Sequence, residues 1–281
     1  MDLLFKIRSK DEIEDVVRSV DASSLSDCSS FLELNVQKSQ PLLLKSACNK
    51  VASKWTTEYL KKTTQDGLEV DIDIAPPESN GLFADTKSER IKLGIEERTV
   101  PFTTVLDGSC KPSQHHFLYL QQQSWPFDVV FPVLNKDLRT ESCPLIQELS
   151  QFSLAKILWL GGSPTRSQLH FDRKDNFICQ MCGQKEILLF SPEETKYLYQ
   201  KEGSDENDQF NNRFSTIDSN LLPKEFKERY PKASQAVATR ILLNPGDVLF
   251  VPKLWWHLVS SFPDKHRRIN IMVNMFFEKP C

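Results

Sequence analysis

Two histidines and an aspartate stand out by type and spacing. His170 and Asp172 lie in Gln168-Leu169-His170-Phe171-Asp172, and His257 follows Trp255-Trp256 much later. On a β-strand, residues two apart point to the same face. A second histidine arriving from a distant strand would complete a set of two imidazoles and one carboxylate. That set holds non-haem Fe(II) on one side and leaves the other positions open for a co-substrate and O2. A bare His-x-Asp arises readily by chance, so its surroundings decide between a metal centre and a polar strand edge near a core histidine.

The surroundings favour the metal. After Asp172 come Asn176, the strand-like Phe177-Ile178-Cys179-Gln180-Met181, a Gly183-Gln184 turn and Lys185, fifteen positions after His170. The run Asn244-Pro245-Gly246-Asp247-Val248-Leu249-Phe250-Val251-Pro252 leads into Trp255-Trp256-His257. In these stretches the chain resembles the JmjC-domain Fe(II)/2-oxoglutarate-dependent oxygenases, in particular the small hydroxylases related to factor-inhibiting HIF. The resemblance covers residues 156–278 and extends more loosely from residue 41.

Short strands, polar turns, a strand-borne ligand pair and a returning histidine fit a β-barrel or jelly roll better than an α/β sheet. The resemblance sharpens this to a mainly β chain built on a double-stranded β-helix, a cupin-like jelly roll. It would occupy residues 151–281, carry an inserted loop and helix segment at 193–239, and receive a mixed α/β N-terminal portion, residues 1–150.

For the site, the resemblance implies that His170, Asp172 and His257 hold Fe(II), with 2-oxoglutarate and O2 taking the open positions. The far carboxylate of 2-oxoglutarate calls for a buried cation, and Lys185 stands at the family's position for it. An ammonium offers a compact point charge to such a group. A surface lysine at a hairpin end is the ordinary alternative. Ser167 and Tyr119 are the matching hydroxyl donors, and Asn176 and Asn274 match asparagines near the metal-side carboxylate. Trp159, Ile178, Val259 and Phe276 would form the apolar wall.

The reaction so implied is hydroxylation coupled to conversion of 2-oxoglutarate into succinate and CO2. Many demethylases of the family carry glutamate in place of Asp172 and come with chromatin-reading domains. Protein side-chain hydroxylation is therefore the favoured reading, with lysine as first guess. Val70-Asp71-Ile72-Asp73, Arg98-Thr99-Val100-Pro101-Phe102, Tyr119-Leu120-Gln121 and Tyr230-Pro231 look most similar to the small JmjC lysyl hydroxylase. Pro41-Leu42-Leu43-Leu44 and Trp55 are shared as well with the tRNA wybutosine hydroxylase. A tRNA-base hydroxylase, a histone lysine demethylase and a catalytically silent interaction module remain as alternatives. The chain stops at Cys281, where factor-inhibiting HIF continues into dimer-forming helices, so a monomer is expected.

Composition narrows the rest. A formal charge of -3 gives no broad pull toward nucleic acid or anionic lipid. The sequence has no long apolar run and no signal-peptide layout at Met1-Asp2-Leu3-Leu4-Phe5-Lys6, so no membrane partner is expected. Seven irregularly spaced cysteines suggest reduced thiols in the cytoplasm or nucleus. Cys179 and Cys182 form a C-x-x-C without a second ligand pair and are expected as plain buried thiols.

The positioning elements follow from local pattern. Ser9 and Glu12 form a capping box ahead of a short helix. Residues 41–44 and 68–74 read as strands, the latter with Glu69, Asp71 and Asp73 on a wet face. Residues 53–60 read as a helix start with Trp55 and Tyr59 on one face. Residues 78–97 read as a long loop and 126–150 as a Pro-punctuated connection with a helical turn at 144–149. Residues 115–122 read as a strand in which His115 and His116 face opposite ways. Residues 201–212 carry little to bury and are expected to be mobile. Residues 78–97 and 201–214 are the expected source of substrate contacts.

Overall fold

The protein is described by a computed structural model covering residues 4–24, 31, 35–84, 86–110, 117–122, 126–202 and 211–278. The pair His115 and His116 and most of the acidic stretch at 201–212 lie outside these residues. In the N-terminal half the strands are β1 (Lys6–Ile7), β2 (Arg18–Asp21), β3 (Leu42–Lys45), β4 (Glu69–Ala75), β5 (Leu82–Phe83), β6 (Glu96–Pro101) and β7 (Phe117–Gln122). The C-terminal half supplies β8 (Ala155–Gly161), β9 (Thr165–Ser167), β10 (His170–Phe171), β11 (Asp175–Cys182), β12 (Gln184–Phe190), β13 (Val237–Leu243), β14 (Val248–Val251), β15 (Trp256–Phe262) and β16 (Asn270–Phe277).

These strands form two sheets. One runs β2-β3-β14-β11-β16-β8-β7-β4-β6, and the other runs β1-β13-β12-β15-β9-β5 with β10 paired to β15. The centre of each is antiparallel. The result is a jelly-roll β-sandwich, with β8, β16, β11 and β14 facing β13, β12, β15 and β9–β10. Strands of the N-terminal half extend both sheets, so Tyr119 on β7 lies directly beside Gly161 on β8.

The chain crosses between the sheets at tight corners. Gly183 joins β11 to β12 at φ +70°, and a Cβ there would meet the Phe262 carbonyl oxygen at 2.5 Å. Gly246 joins β13 to β14 at φ +91°, and the Asp247 N–H donates back to the Asn244 carbonyl at 3.0 Å. That is the type II turn expected of Pro245-Gly246, since its second central residue needs positive φ. A Cβ at Gly246 would also collide with Asn49 Oδ1.

Helices cover the N-terminal half. The capping box forms, and Glu12 accepts from the Ser9 N–H at 2.8 Å ahead of the helix Lys10–Val16. The helix expected near residues 53–60 is split in two, Asn49–Lys54 and Thr57–Thr63, with Thr56 capping the second. Trp55 sits in the break. Both helix ends meet Asp137, which is buried on the helix Pro132–Glu141. Trp55 Nε1 and the Tyr59 hydroxyl donate to Asp137 Oδ2 at 3.0 and 2.8 Å, and Lys54 Nζ donates to its other oxygen at 2.7 Å.

Three local expectations are corrected. Residues 78–97 are not a loop, because β5, the helix Lys87–Lys92 and the start of β6 lie there. Thr86 accepts from the Glu89 N–H at the helix start, a cap that the polar composition concealed. The connection at 126–150 contains three helices, Phe127–Val130, Pro132–Glu141 and Pro144–Leu149, with prolines in their first turns or just before. Asp73 does not face water. It is buried and receives two hydrogen bonds from the Arg90 guanidinium, at 2.8 and 2.6 Å. Cys179 and Cys182 are buried free thiols, and burial raises the pKa of both. Among the described residues no helix is long and apolar enough to cross a membrane.

Removing one partner from a buried charged network strands the others. Asp137→Ala should lower unfolding stability by about 3–5 kcal/mol in urea titrations. Asp137→Asn, which keeps the shape and an acceptor oxygen, should lose less.

Candidate metal and co-substrate site

His170 on β10 lies directly opposite His257 on β15 in an antiparallel pair. Opposed residues share a face, so both imidazoles enter the sandwich together, with ring centroids 4.2 Å apart. Asp172 follows β10 and is buried, and its Oδ2 lies 3.6 Å from His257 Nε2. One ligand atom from each of the three residues falls within 4.8 Å of the others.

The hydrogen bonds of the two rings set which nitrogen is available. His170 Nδ1 is 2.8 Å from the Gln168 carbonyl, and His257 Nδ1 is 3.0 Å from the Trp255 carbonyl. A carbonyl only accepts, so each Nδ1 carries the proton and each Nε2 keeps its lone pair. Burial lowers the pKa of both histidines. For His257 the value falls to about 4, through burial first and the neighbouring His170 second. Both rings are neutral at pH 7, as metal ligands must be.

A pocket of about 120 Å³ opens beside this trio. Its apolar wall includes Ile157, Trp159, Ile178, Val259, Met272 and Phe276, so all four wall residues expected from sequence line it. Tyr119, Ser167 and Asn274 line it too. Tyr119 is packed between Phe83 and Trp159, with centroids at 5.2 and 5.5 Å. Ser167 Oγ accepts from the Val259 N–H at 3.0 Å and so keeps its own proton to donate. Asn176 stands behind the pocket and donates to Asp172 Oδ2 at 3.3 Å.

Lys185 is not part of the open lining. It is completely buried behind it, with Nζ in a short hydrogen bond to Ser261 Oγ and 5.9 Å from the Tyr119 ring centre. Among the described residues no carboxylate pairs with it. Burial alone lowers its pKa to about 7.

Two residues that sequence reasoning did not single out belong here. Ser261 is four after His257 on β15, and alternation along the strand puts His257, Val259 and Ser261 on one face. That signal was available. Arg213 lines the pocket from the turn Asn211–Arg213. It lies inside the 201–214 stretch expected to meet substrate, and no pattern there distinguishes it.

The pocket's polar inventory suits the group that the donor set implies. Asn274 Oδ1, Asn176 Oδ1 and Trp159 Nε1 are buried without hydrogen-bond partners. A buried polar atom without a partner costs about 1–3 kcal/mol, so several around one cavity await a polar occupant. An anionic occupant would restore the Lys185 charge that burial disfavours.

With the fold and this geometry in place, the chain belongs to the cupin-like domain family, whose model matches residues 29–281. Its relatives are JmjC proteins. It is 27% identical over 263 residues to the tRNA wybutosine-synthesizing protein 5 of Mus musculus, covering 88% of this chain and 74% of that one. It is 26% identical over 230 residues to the bifunctional peptidase and (3S)-lysyl hydroxylase JMJD7 of Homo sapiens, covering 74% of this chain and 68% of that protein. Over 131 residues it is 33% identical to the Jumonji C domain-containing protein 5 of Drosophila melanogaster, covering 46% of this chain. The chain spans 31% of the length of that last relative, well under two thirds. These relatives include a hydroxylase and a tRNA-modifying protein, and the Fe(II)/2-oxoglutarate chemistry typical of JmjC proteins matches the His-Asp-His trio.

Lys185 sets a pH test of stability. Its folded pKa of about 7 lies below the ordinary 10.5, so between those values the unfolded chain holds more protons. The penalty for burying the charge is complete below pH 7 and is relieved as pH rises toward 10. Relative to Lys185→Met, the ligand-free wild type should gain roughly 1.4 kcal/mol per pH unit across that window. Lys185→Met should be the more stable protein at pH 7. Denaturant titrations at a series of pH values measure both.

Proposed function

We propose that the chain is an Fe(II)- and 2-oxoglutarate-dependent oxygenase that hydroxylates a protein side chain, lysine being the first candidate. The observation carrying this reading is a buried lysine with no carboxylate partner among the described residues, set behind the same pocket that receives three side chains able to hold a metal. An iron site alone has no use for that cation. A keto-diacid spanning from metal to lysine does.

His170, Asp172 and His257 would hold the metal, with each imidazole fixed by the carbonyl on its Nδ1. Lys185, Ser167 and Tyr119 would receive the far carboxylate. Asn176 and Asn274 would stand near the metal-side end. The bound pair supplies the oxidising chemistry, with 2-oxoglutarate converted to succinate and CO2. The protein's own contribution is orientation and dryness. Trp159, Ile178, Val259, Met272 and Phe276 keep water from the pocket, and the jelly roll fixes ligands borne on different strands.

A protein substrate is supported by the hydroxylase among the relatives and by the chain's lack of basic excess. One observation favours a second reading, a tRNA-base hydroxylase. The alignment to the wybutosine protein covers more of this chain than that to the lysyl hydroxylase, 88% against 74%.

With Fe(II), ascorbate and 2-oxoglutarate, the purified protein should form succinate slowly without substrate, and His170→Ala should abolish it. Lys185→Ala should weaken 2-oxoglutarate binding while Mn(II) binding stays within about twofold, because the lysine is not a metal ligand. Equal loss of both would remove Lys185 from the co-substrate site. Peptides captured by Asp172→Ala and absent from wild-type captures should carry one added oxygen in cells. Retention of bulk tRNA in a mobility-shift assay, weakening steeply with salt, would instead support the RNA reading.

A further inference from the structure

The two oxygens of Asp172 have different neighbours. Oδ2 points into the trio, 3.6 Å from His257 Nε2, and accepts from Asn176. Oδ1 lies 3.5 Å from Nη1 of Arg213, which lines the same pocket. Arg213 is held there by the backbone beside it. Phe214 bridges to His170, the Ser215 N–H donates to the Leu169 carbonyl at 2.9 Å, and the guanidinium lies over the Phe214 ring at 4.7 Å. The segment carrying Arg213 is thus fastened to the strand that carries the first metal ligand.

We infer that Arg213 is a positioning residue that occupies the outer oxygen of Asp172 and restricts this carboxylate to one-oxygen metal ligation through Oδ2. The inference rests on the metal reading above. A carboxylate binding through both oxygens would fill one more coordination position. With the guanidinium beside Oδ1, each of the three side chains would offer a metal one atom, leaving room for a chelating keto-acid and O2. The positive charge of Arg213 would also draw electron density from Asp172 and repel a divalent cation, so the site would give up metal affinity to keep a position free.

The test uses Mn(II) alone, with no turnover. Wild type, Arg213→Met and Arg213→Lys are titrated with Mn(II) by calorimetry, and exchangeable waters on the bound ion are counted by water-proton relaxation. Arg213→Met should bind Mn(II) about tenfold tighter and carry one water fewer, as the freed oxygen joins the metal. Arg213→Lys, which keeps a cation on Oδ1, should match wild type in water count and bind within about threefold of it. Unchanged affinity and water count in Arg213→Met, or an identical change in both variants, overturns the inference while leaving the metal site standing. If folded wild type binds no Mn(II), the metal reading fails and this inference falls with it. Thermal unfolding verifies each fold, and Arg213→Gln replaces Arg213→Met should that variant fail to fold.

Discussion

Where β10 meets β15, His170 stands opposite His257 and Phe171 stands opposite Trp256. The two pairs occupy opposite faces of the same short ladder. On the outer face the Phe171 and Trp256 rings meet edge to face at 4.8 Å, in a buried cluster with Leu188, Phe190 and Leu258. Side chains alternate along a strand, so a slip of one residue would send the aromatics into the pocket and the imidazoles out of it. Burying such side chains is worth about 1.5–3 kcal/mol each. The register of His170 and His257 is therefore enforced by apolar packing on the side of the sheet away from the pocket.

One physical cause then acts on His170, His257 and the Lys185 that lies behind the pocket. Burial disfavours charge, whichever residue bears it. For His170 and His257 this is useful, because a neutral ring is the ligating form. For Lys185 it would be a burden under the proposed role, because an ammonium is the form that could hold a carboxylate. The pocket accepts that burden within a stack of strands that is stable enough elsewhere, in its apolar layers and in the Asp137 network. A destabilised residue at a binding site is the usual sign of a group whose partner arrives from outside.

Legibility in the sequence followed the length of the pattern. The strand series from residue 155 onward and both glycine corners could be read because alternation and turn chemistry are local rules, while the trio and the four apolar wall positions came through the family resemblance. Ser261 could have been found by extending the alternation from His257. Asp73 and residues 78–97 could not, since the fate of an acidic strand residue depends on an arginine from a helix that polar composition hid. Arg213 was also out of reach, because only the bridge from Phe214 to His170 brings its turn to the pocket. Contacts made by irregular segments have no period to read.

The long reach of strand pairing has a consequence for synthesis on the ribosome. Leu42, Leu43 and Leu44 of β3 find their antiparallel partners only in β14, from Phe250 back to Val248. At about 5–20 residues per second, the nascent chain waits roughly 10–40 s between making one and the other. During that interval an apolar strand has no partner along the edge that β14 will take. The binding trio is completed later still, with His257. A newborn chain of this kind exposes apolar strand edge for that whole interval, the condition under which chains are most prone to aggregate.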